Sequence, residues 1–456
     1  MRERIVIEGY TNITSDLPML GFTGALGSGC SYFAKGLADF HRYVHCHLSS
    51  PIHAEAARRG LEHTAGVLLD IGNEMRRQYG PNHLARLALD WADKQVPPPD
   101  SKERPAGVIL DGIRNTGELE ALRQGPNFYL FSVQADMDKR QERLVGTERC
   151  PDEKSFEVAD KRDQEEKPLF GQQVRKCNDL ADVIVINDKS ISKEAEGKRR
   201  EYIEDKLYKP FVSLIERVAA GEAVYDVRPS DREALMTAAY CESRRSSCLK
   251  RKVGAIIART NGEIISAAHN DVPEGTAPCL DDDRYLWCAR DVIQEHAAQQ
   301  IKHCPNCGNA IKLAVTCPMC STEITSYTKR CPNCKYDPEI RYACEKCGID
   351  VFAQFLPGHT PGAGKLLDMC MSLHAEENAI LNLVKQGLRT PPDAVIYTTT
   401  FPCNLCAKKI VAAGIKKVVY AEPYPMEESR TLFIKEHVAV ERFEGVKNTA
   451  YFRLYS

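Results

Sequence analysis

Ten of the chain's nineteen cysteines fall into five C-x-x-C pairs, and no other feature of the 456 residues limits the fold so tightly. In a cytosolic chain such pairs favour metal ligation over disulfides. Four of them lie within residues 300–350: Cys304/Cys307, Cys317/Cys320, Cys331/Cys334 and Cys344/Cys347. Nine residues separate the first pair from the second and nine the third from the fourth, so the segment repeats as C-x-x-C-x9-C-x-x-C. Each half offers four thiolates, the complement of one tetrahedral zinc, and a segment this short and polar has no apolar core to fold around without metal. Two structural zinc ribbons are expected, one on Cys304, Cys307, Cys317 and Cys320, the other on Cys331, Cys334, Cys344 and Cys347. Redox pairs and rubredoxin-like iron are the competing readings, and bracing a loop or interface is preferred to nucleic-acid binding as the ribbons' task. Cys46, Cys150, Cys177, Cys241 and Cys370 stand outside any motif and are expected to be buried, inert thiols.

The fifth pair, Cys403/Cys406, lies in TTTFPCNLCAKKI (398–410), downstream of SLHAEENAIL (372–381). H-x-E followed by P-C-x-x-C supplies one imidazole from His374, two thiolates, and the carboxylate of Glu376. One neutral imidazole and two thiolates balance the charge of a zinc ion and leave a fourth position open to water, as catalytic rather than structural zinc requires. Water held there ionises near neutral pH, and in the zinc-dependent deaminases, whose motif pair this resembles, it attacks a ring carbon that bears an exocyclic amine. Glu376, close by but not a ligand, is the expected catalytic residue, moving the protons that release ammonia. Pro402 and the residues after it open a helix that should close at Gly414, and its positive end favours ionised Cys403 and Cys406. His374 and Glu376 are two residues apart, a spacing that points side chains to nearly opposite sides of a regular helix. They can converge only at an irregular first turn.

This pair of motifs resembles that of the zinc-dependent nucleobase deaminases. Residues 231–456 as a whole resemble the deoxycytidylate deaminase branch of the cytidine deaminase superfamily. RSSCLKRKVGAIIA (245–258) is similar to that branch's opening helix and strand, and HNDVPEG (269–275) to its substrate loop. The resemblance implies that Asn270 binds the sugar of a nucleotide substrate. His269 and Asp271 stand where tyrosine and glycine are common in that branch. Relatives acting on tRNA adenosine share H-A-E and P-C-x-x-C but are usually basic.

From about Gly21 to Asn187 apolar strands alternate with helical stretches, as in LGFTG, GVIL (107–110), FYLFSV (128–133) and DVIVI (182–186), which predicts a parallel α/β unit. GALGSGCS (24–31) fits G-x-x-x-x-G-K-[ST] with Cys30 in place of the lysine. Gly24, Gly27, Ser28, Gly29, Cys30 and Ser31 are candidate nucleotide-binding residues. Backbone amides and a helix start bind phosphate without the lysine, whereas phosphoryl transfer loses a main source of charge stabilisation. VILDGIRN (108–115) places Asp111 at a strand end as a candidate magnesium contact, so magnesium with a nucleoside triphosphate is the cofactor considered for this half. The half resembles a divergent nucleoside-monophosphate-kinase or dephospho-coenzyme-A-kinase fold. In this order the two halves resemble the bacterial anti-phage dCTP deaminase family over nearly the full chain. That resemblance implies depletion of deoxycytidine nucleotides during phage infection, with the front half as sensor or restraint.

The expected fold class is α/β. It comprises a P-loop kinase-like parallel-sheet domain over 1–187, a helical connector over 188–230 that packs the two halves together, and a cytidine-deaminase-like α/β/α domain over 231–456 carrying the ribbon insertion. Three zinc ions are expected, one catalytic and two structural. A formal charge of -2, from 61 basic and 63 acidic side chains, argues against a polynucleotide as the main substrate. Free deoxycytidine nucleotides are expected instead, with monophosphate and triphosphate both open, in a protein expected to be a homo-oligomer. Housekeeping conversion of dCMP in pyrimidine salvage and polynucleotide editing are the alternatives. No apolar run approaches the roughly 18 residues of a membrane-spanning helix. The opening MRERIVIEGYTNITSD lacks a secretory pattern, so a cytoplasmic location is expected.

Overall fold

Short runs of apolar residues without polar alternation can be buried on both faces, and in the front half they are. The computed structural model describes residues 12–13, 16–125, 127–164, 166, 168–189, 196–279, 281, 315–316, 323–324, 370–423 and 426–455. Its contacts divide the chain into two units, Met1–Thr237 with Arg442–Ser456, and Ala238–Glu441. Both are α/β.

In the first unit β1 (Met19–Thr23), β2 (Tyr43–His47), β3 (Gly107–Asp111), β4 (Phe128–Gln134) and β5 (Val183–Ile186) pair in parallel in the order β5-β4-β1-β3-β2. Every residue of β1 and β3 is buried. Leu20, Phe22, Ile109 and Phe131 fill one face of this sheet, and Met19, Val108, Leu110 and Leu130 the other. Helix α1 (Cys30–His41) follows β1 directly after the glycine-rich turn. The strand β2 is absent from the sequence reading, because YVHCH sets histidines at alternate positions and shows no apolar run.

The connector is helical over Glu196–Ile203 and Ser213–Ala219, with a π-helical stretch, Glu204–Val212, between them. Pro210 explains the wide stretch, since its ring and missing N–H disrupt an ordinary helical turn. Ile203, Leu207, Phe211 and Ile215 join the core of the first unit. The contact with α1 is close: a Cβ on Gly36 would lie 2.0 Å from Ile203 Cδ1. The connector's apolar face, expected to pack two halves together, is thus taken up inside the first unit.

The boundary expected at 231–456 also differs, because residues 442–456 return to the first unit. There β13 (Gly445–Val446) pairs antiparallel with β5. Glu444 accepts a hydrogen bond from Ile186 N at 2.9 Å, and Lys447 donates to Asp179 O at 2.7 Å. An uncovered edge on β5 is the reason, and two residues suffice to pair it.

The second unit is built on a sheet of order β12-β11-β10-β6-β7. Its strands are β6 (Gly254–Arg259), β7 (Ile264–His269), β10 (Ala394–Thr400), β11 (Lys417–Glu422) and β12 (Ala439–Arg442). The β10–β11 pair is parallel, while β6 runs antiparallel to both β10 and β7. Asn261-Gly262 turns the hairpin between β6 and β7, with Gly262 at φ 88°. Helix α2 (Asp231–Arg244) runs across the division between the units. A Cβ on Gly254 would fall 1.9 Å from Ala239 O, so only glycine lets β6 approach this helix. Helices α3 (Ala375–Lys385) and α4 (Asn404–Ala412) complete the frame of the site.

The ribbon cysteines Cys304, Cys307, Cys317, Cys320, Cys331, Cys334, Cys344 and Cys347 lie outside the described residues. Within that stretch β8 (Val315–Thr316) and β9 (Glu323–Ile324) form an antiparallel ladder that flanks the Cys317/Cys320 pair in sequence. Of the cysteines without a motif, Cys46, Cys150 and Cys177 are buried, Cys370 is half-buried and Cys241 is exposed. Cys241 departs from the expectation because Met236, Tyr240 and Ser243 occupy the inward face of α2 and leave it on the other. No helix among the described residues is long and apolar enough to cross a membrane.

Candidate active site

The ends of β10, α3 and α4 place the H-x-E and P-C-x-x-C residues together. His374 is the N-cap of α3 in extended conformation (φ −78°, ψ 156°), one residue before the helix proper, and Glu376 sits in its first turn. The break in backbone direction at the cap is what lets side chains two apart face one centre. Cys403 likewise caps α4 (φ −70°, ψ 169°), and Cys406 lies in its first turn, where the helix dipole favours a thiolate.

His374 Nδ1 stands 3.3 Å from both Cys403 Sγ and Cys406 Sγ. The ligand atoms of these three residues all lie within 4.8 Å of one another, and among the described residues they are the one such group that could hold a metal ion. An imidazole and two thiolates suit zinc, and three protein ligands leave the open position of a catalytic site. A hydrogen bond from Cys406 lowers the Cys403 thiol to about 4, and the same contact raises Cys406. The hydrogen bond with Cys403 raises His374. These shared protons are the ones metal binding displaces.

Glu376 is 3% exposed. Burial raises its carboxyl above the ordinary range, and the hydroxyl of Thr398, 3.0 Å from Glu376 Oε1, works in the opposite direction. The Thr398 hydroxyl also lies 3.1 Å from Thr400 O. Thr398 escaped the sequence reading. Its signal is the threonine run 398–400 immediately before Phe-Pro-Cys, which has no apolar reason to be fully buried yet is.

Asn270 is buried, with both ends of its amide occupied by the neighbouring chain. Its Oδ1 accepts from Val253 N at 2.7 Å, and its Nδ2 donates to Arg251 O at 2.9 Å. One lone pair and one N–H remain for a further partner. His269 Nδ1 contacts Glu242 Oε2 at 3.0 Å, Ser247 donates to Asp271 Oδ1, and Asn378 Nδ2 donates to His269 O at 2.9 Å. This loop is therefore tied to α3.

In the first unit, the 24–31 segment forms a tight turn from β1 into α1. Gly27 and Gly29 have φ 84° and 100°, and a Cβ on Gly24 would lie 2.4 Å from Ser28 Oγ and from Val133 O. Arg143 donates to Gly27 O at 2.9 Å and Ser28 O at 3.1 Å, and Asn187 donates to Ser28 O at 2.8 Å. With those carbonyls engaged, the turn keeps the N–H groups of the helix start for a ligand. Burial raises the Cys30 thiol to about 12, so it is neutral and supplies none of the charge of the lysine it replaces. Asp111 ends β3 fully buried, with His45, His47 and Ser31 as neighbours.

Residues 341–422 match the family model described as the cytidine and deoxycytidylate deaminase zinc-binding region. The second unit thus carries the zinc-binding region of the cytidine and deoxycytidylate deaminases. Deoxycytidylate deaminase of Schizosaccharomyces pombe is 26% identical over 200 residues, covering 44% of this chain and 39% of the yeast protein. The chain thus spans about two fifths of that relative's length. A UPF0200 protein of Methanothrix thermoacetophila is 28% identical over 35% of this chain and 88% of its own. Among solved structures, dCMP deaminase from the cyanophage S-TIM5 in complex with dCMP and dUMP overlaps 48% of this chain and 99% of its own, at 21% identity and a TM-score of 0.26.

Proposed function

We propose that the chain hydrolyses the amino group of free deoxycytidine nucleotides, dCTP, dCMP or both, to give deoxyuridine nucleotides and ammonia. The observation that carries this reading is the convergence of His374 Nδ1, Cys403 Sγ and Cys406 Sγ beside a buried carboxylate, Glu376. A zinc ion held by the three would supply Lewis-acid activation of water. The net reaction exchanges a ring C–NH2 for C=O and uses one water for each ammonia released. Glu376 takes a proton from the attacking water, passes one to the ring nitrogen, and delivers one to the departing amine. Asn270, whose loop is anchored to α3, is the proposed contact for the sugar through its remaining N–H.

Two further zinc ions are proposed for the eight ribbon cysteines, giving three at thiolate sites. The 24–31 turn is proposed to bind a nucleotide through backbone N–H groups, with a divalent cation at Asp111, and to regulate deamination without transferring phosphate. In a cell the reaction would deplete deoxycytidine nucleotides, and we assign it to defence against phage.

The decisive experiment offers the full chain dC, dCMP, dCTP, CTP, single-stranded DNA and RNA, and follows ammonia. Release from dCMP or dCTP is expected, and the faster of the two settles the phosphate count. Release from polymers alone, or from none of the six, would overturn the proposal. Infected cells expressing the protein should lose dCTP, and cells carrying Glu376→Gln should not.

A further inference from the structure

The residue before His374 is hydrogen-bonded to the residue after Asn270. Leu373 N donates to Asp271 O at 2.8 Å and Asp271 N donates to Leu373 O at 3.2 Å, an isolated antiparallel bridge. A single residue pair has no ladder on either side to hold its register. Side chains supply the hold instead, and they converge on Asp271.

Asp271 Oδ1 accepts from Ser247 Oγ and, at 2.8 Å, from Val272 N, and its Oδ2 stands 3.5 Å from His269 Nε2. The other ring nitrogen of His269 is the one in contact with Glu242 of α2. Ser246, buried beside Ser247, donates to Asn270 O at 2.7 Å, and Asn270 N donates to Val253 O at 3.1 Å. On the opposite flank Asn378 Nδ2 holds His269 O, while Asn378 N closes the first turn of α3 on His374 O at 2.9 Å. The Leu373–Asp271 pair therefore has the proposed sugar contact next to it in one segment and the candidate metal ligand next to it in the other. Side chains alternate along extended backbone, so with His269 and Asp271 turned toward Glu242 and Ser247, Asn270 is turned the other way. Its own backbone N–H and C=O are both engaged, so it cannot reorient without breaking this clasp.

We propose that Asp271 is a positioning residue of the deaminase: its carboxylate fixes the loop so that Asn270 presents its remaining N–H to the substrate sugar in a set relation to His374. The assignment rests on the deaminase reading of the site. A deoxynucleotide phosphorylated at C5′ has one free sugar hydroxyl, on C3′, and that oxygen is the acceptor Asn270 would meet. Asp271 thereby sets how strongly the 3′-hydroxyl is read, without touching the substrate itself.

The test compares full-length wild type, Asp271→Ala, Asp271→Asn and Ser247→Ala, matched for zinc content, on dCMP and dCTP and on the 2′,3′-dideoxy form of each. Asp271→Ala should raise KM for the deoxynucleotide about fivefold to tenfold, the worth of one neutral hydrogen bond, with kcat little altered. The dideoxy form has no such bond to lose, so its KM should stay near the wild-type value and the discrimination between the two should shrink. Asp271→Asn keeps an oxygen for Ser247 and Val272 N and should restore most of it. Ser247→Ala, which removes one donor and leaves Asp271 in place, should shift the ratio in the same direction by less. An unchanged ratio of the two KM values in Asp271→Ala, whatever its stability, would overturn the proposal and leave Asp271 a structural residue. If wild type releases ammonia from neither nucleotide, the deaminase reading falls, and the clasp is judged on amide hydrogen exchange alone. Protection of the Leu373 and Asp271 amides that is lost in Ser247→Ala would uphold it, and fast exchange of both in wild type would overturn it.

Discussion

A carboxylate that takes a proton and later returns it is served by a neighbour able to reverse its own hydrogen bond. Thr398 can do this, because its hydroxyl carries one proton and stands within reach of both Glu376 Oε1 and Thr400 O. It donates to Glu376 while the carboxylate is charged. When Glu376 is protonated, Thr398 accepts from it and donates to Thr400 O. Glu376→Gln should retain metal, since Glu376 is not one of the three converging ligands, and lose about 10² to 10⁴ in turnover. Near-normal turnover in the metal-replete variant would remove it from the mechanism. Thr398→Val withdraws the side-chain donor that lowers Glu376, so burial is opposed by less and the carboxyl rises further. Glu376 must be ionised to accept a proton, so the acid limb of the kcat profile should move to higher pH, with activity at the plateau less affected. An acid limb that stays in place would separate Thr398 from the proton transfers. The sequence announced Glu376 through H-x-E, whereas Thr398 is visible only once β10 sets it opposite α3.

At the level of elements, what could be read beforehand was what repeats along the chain. The apolar strands β1, β3, β4 and β5 and the glycine turn stood out because burial on both sheet faces leaves uninterrupted apolar text. Three features did not. The histidines hid β2, the π-helical stretch around Pro210 has no period of its own, and β13 is two residues whose only cause is an edge elsewhere in the chain. The loop 269–275 shows the same limit. The resemblance offered Asn270 as a sugar contact, while its structural task, holding Arg251 O and Val253 N, depends on pairings no local pattern announces. Asn270→Ala leaves a buried N–H and a buried C=O unpaired, at about 1–3 kcal/mol for each group. The denaturant midpoint of the deaminase unit should therefore fall as well as the affinity for nucleotide. A variant with wild-type stability and weakened substrate binding would show that the anchoring bonds are dispensable and the contact with substrate is the whole of its role.

For the molecule as a whole, the question is why a deaminase domain shares a chain with a glycine-rich turn that lacks its lysine. The turn keeps the conformation a phosphate cradle needs, with Gly27 and Gly29 in the left-handed region and α1 starting at Cys30, yet the residue at the lysine position is a neutral thiol. Such a turn is suited to hold phosphate and poorly suited to transfer it. Gly29→Asp opposes binding in two ways: a side chain at φ 100° is strained, and a carboxylate at the helix start repels an anion. His374, Cys403 and Cys406 belong to the other unit, so the variant should keep its full complement of thiolate-bound zinc. Deamination rates of wild type and Gly29→Asp are to be compared across added ATP, GTP, dTTP and dCTP. At least one nucleotide is expected to change the wild-type rate and leave the variant unmoved, with no nucleoside diphosphate produced from it. Identical responses in the two proteins, together with no nucleotide binding at 24–31, would mean that the front unit does not regulate the deaminase through this turn. Production of diphosphate at a rate comparable to deamination would instead make the front unit an enzyme in its own right, and Cys30 a substitution that phosphoryl transfer tolerates.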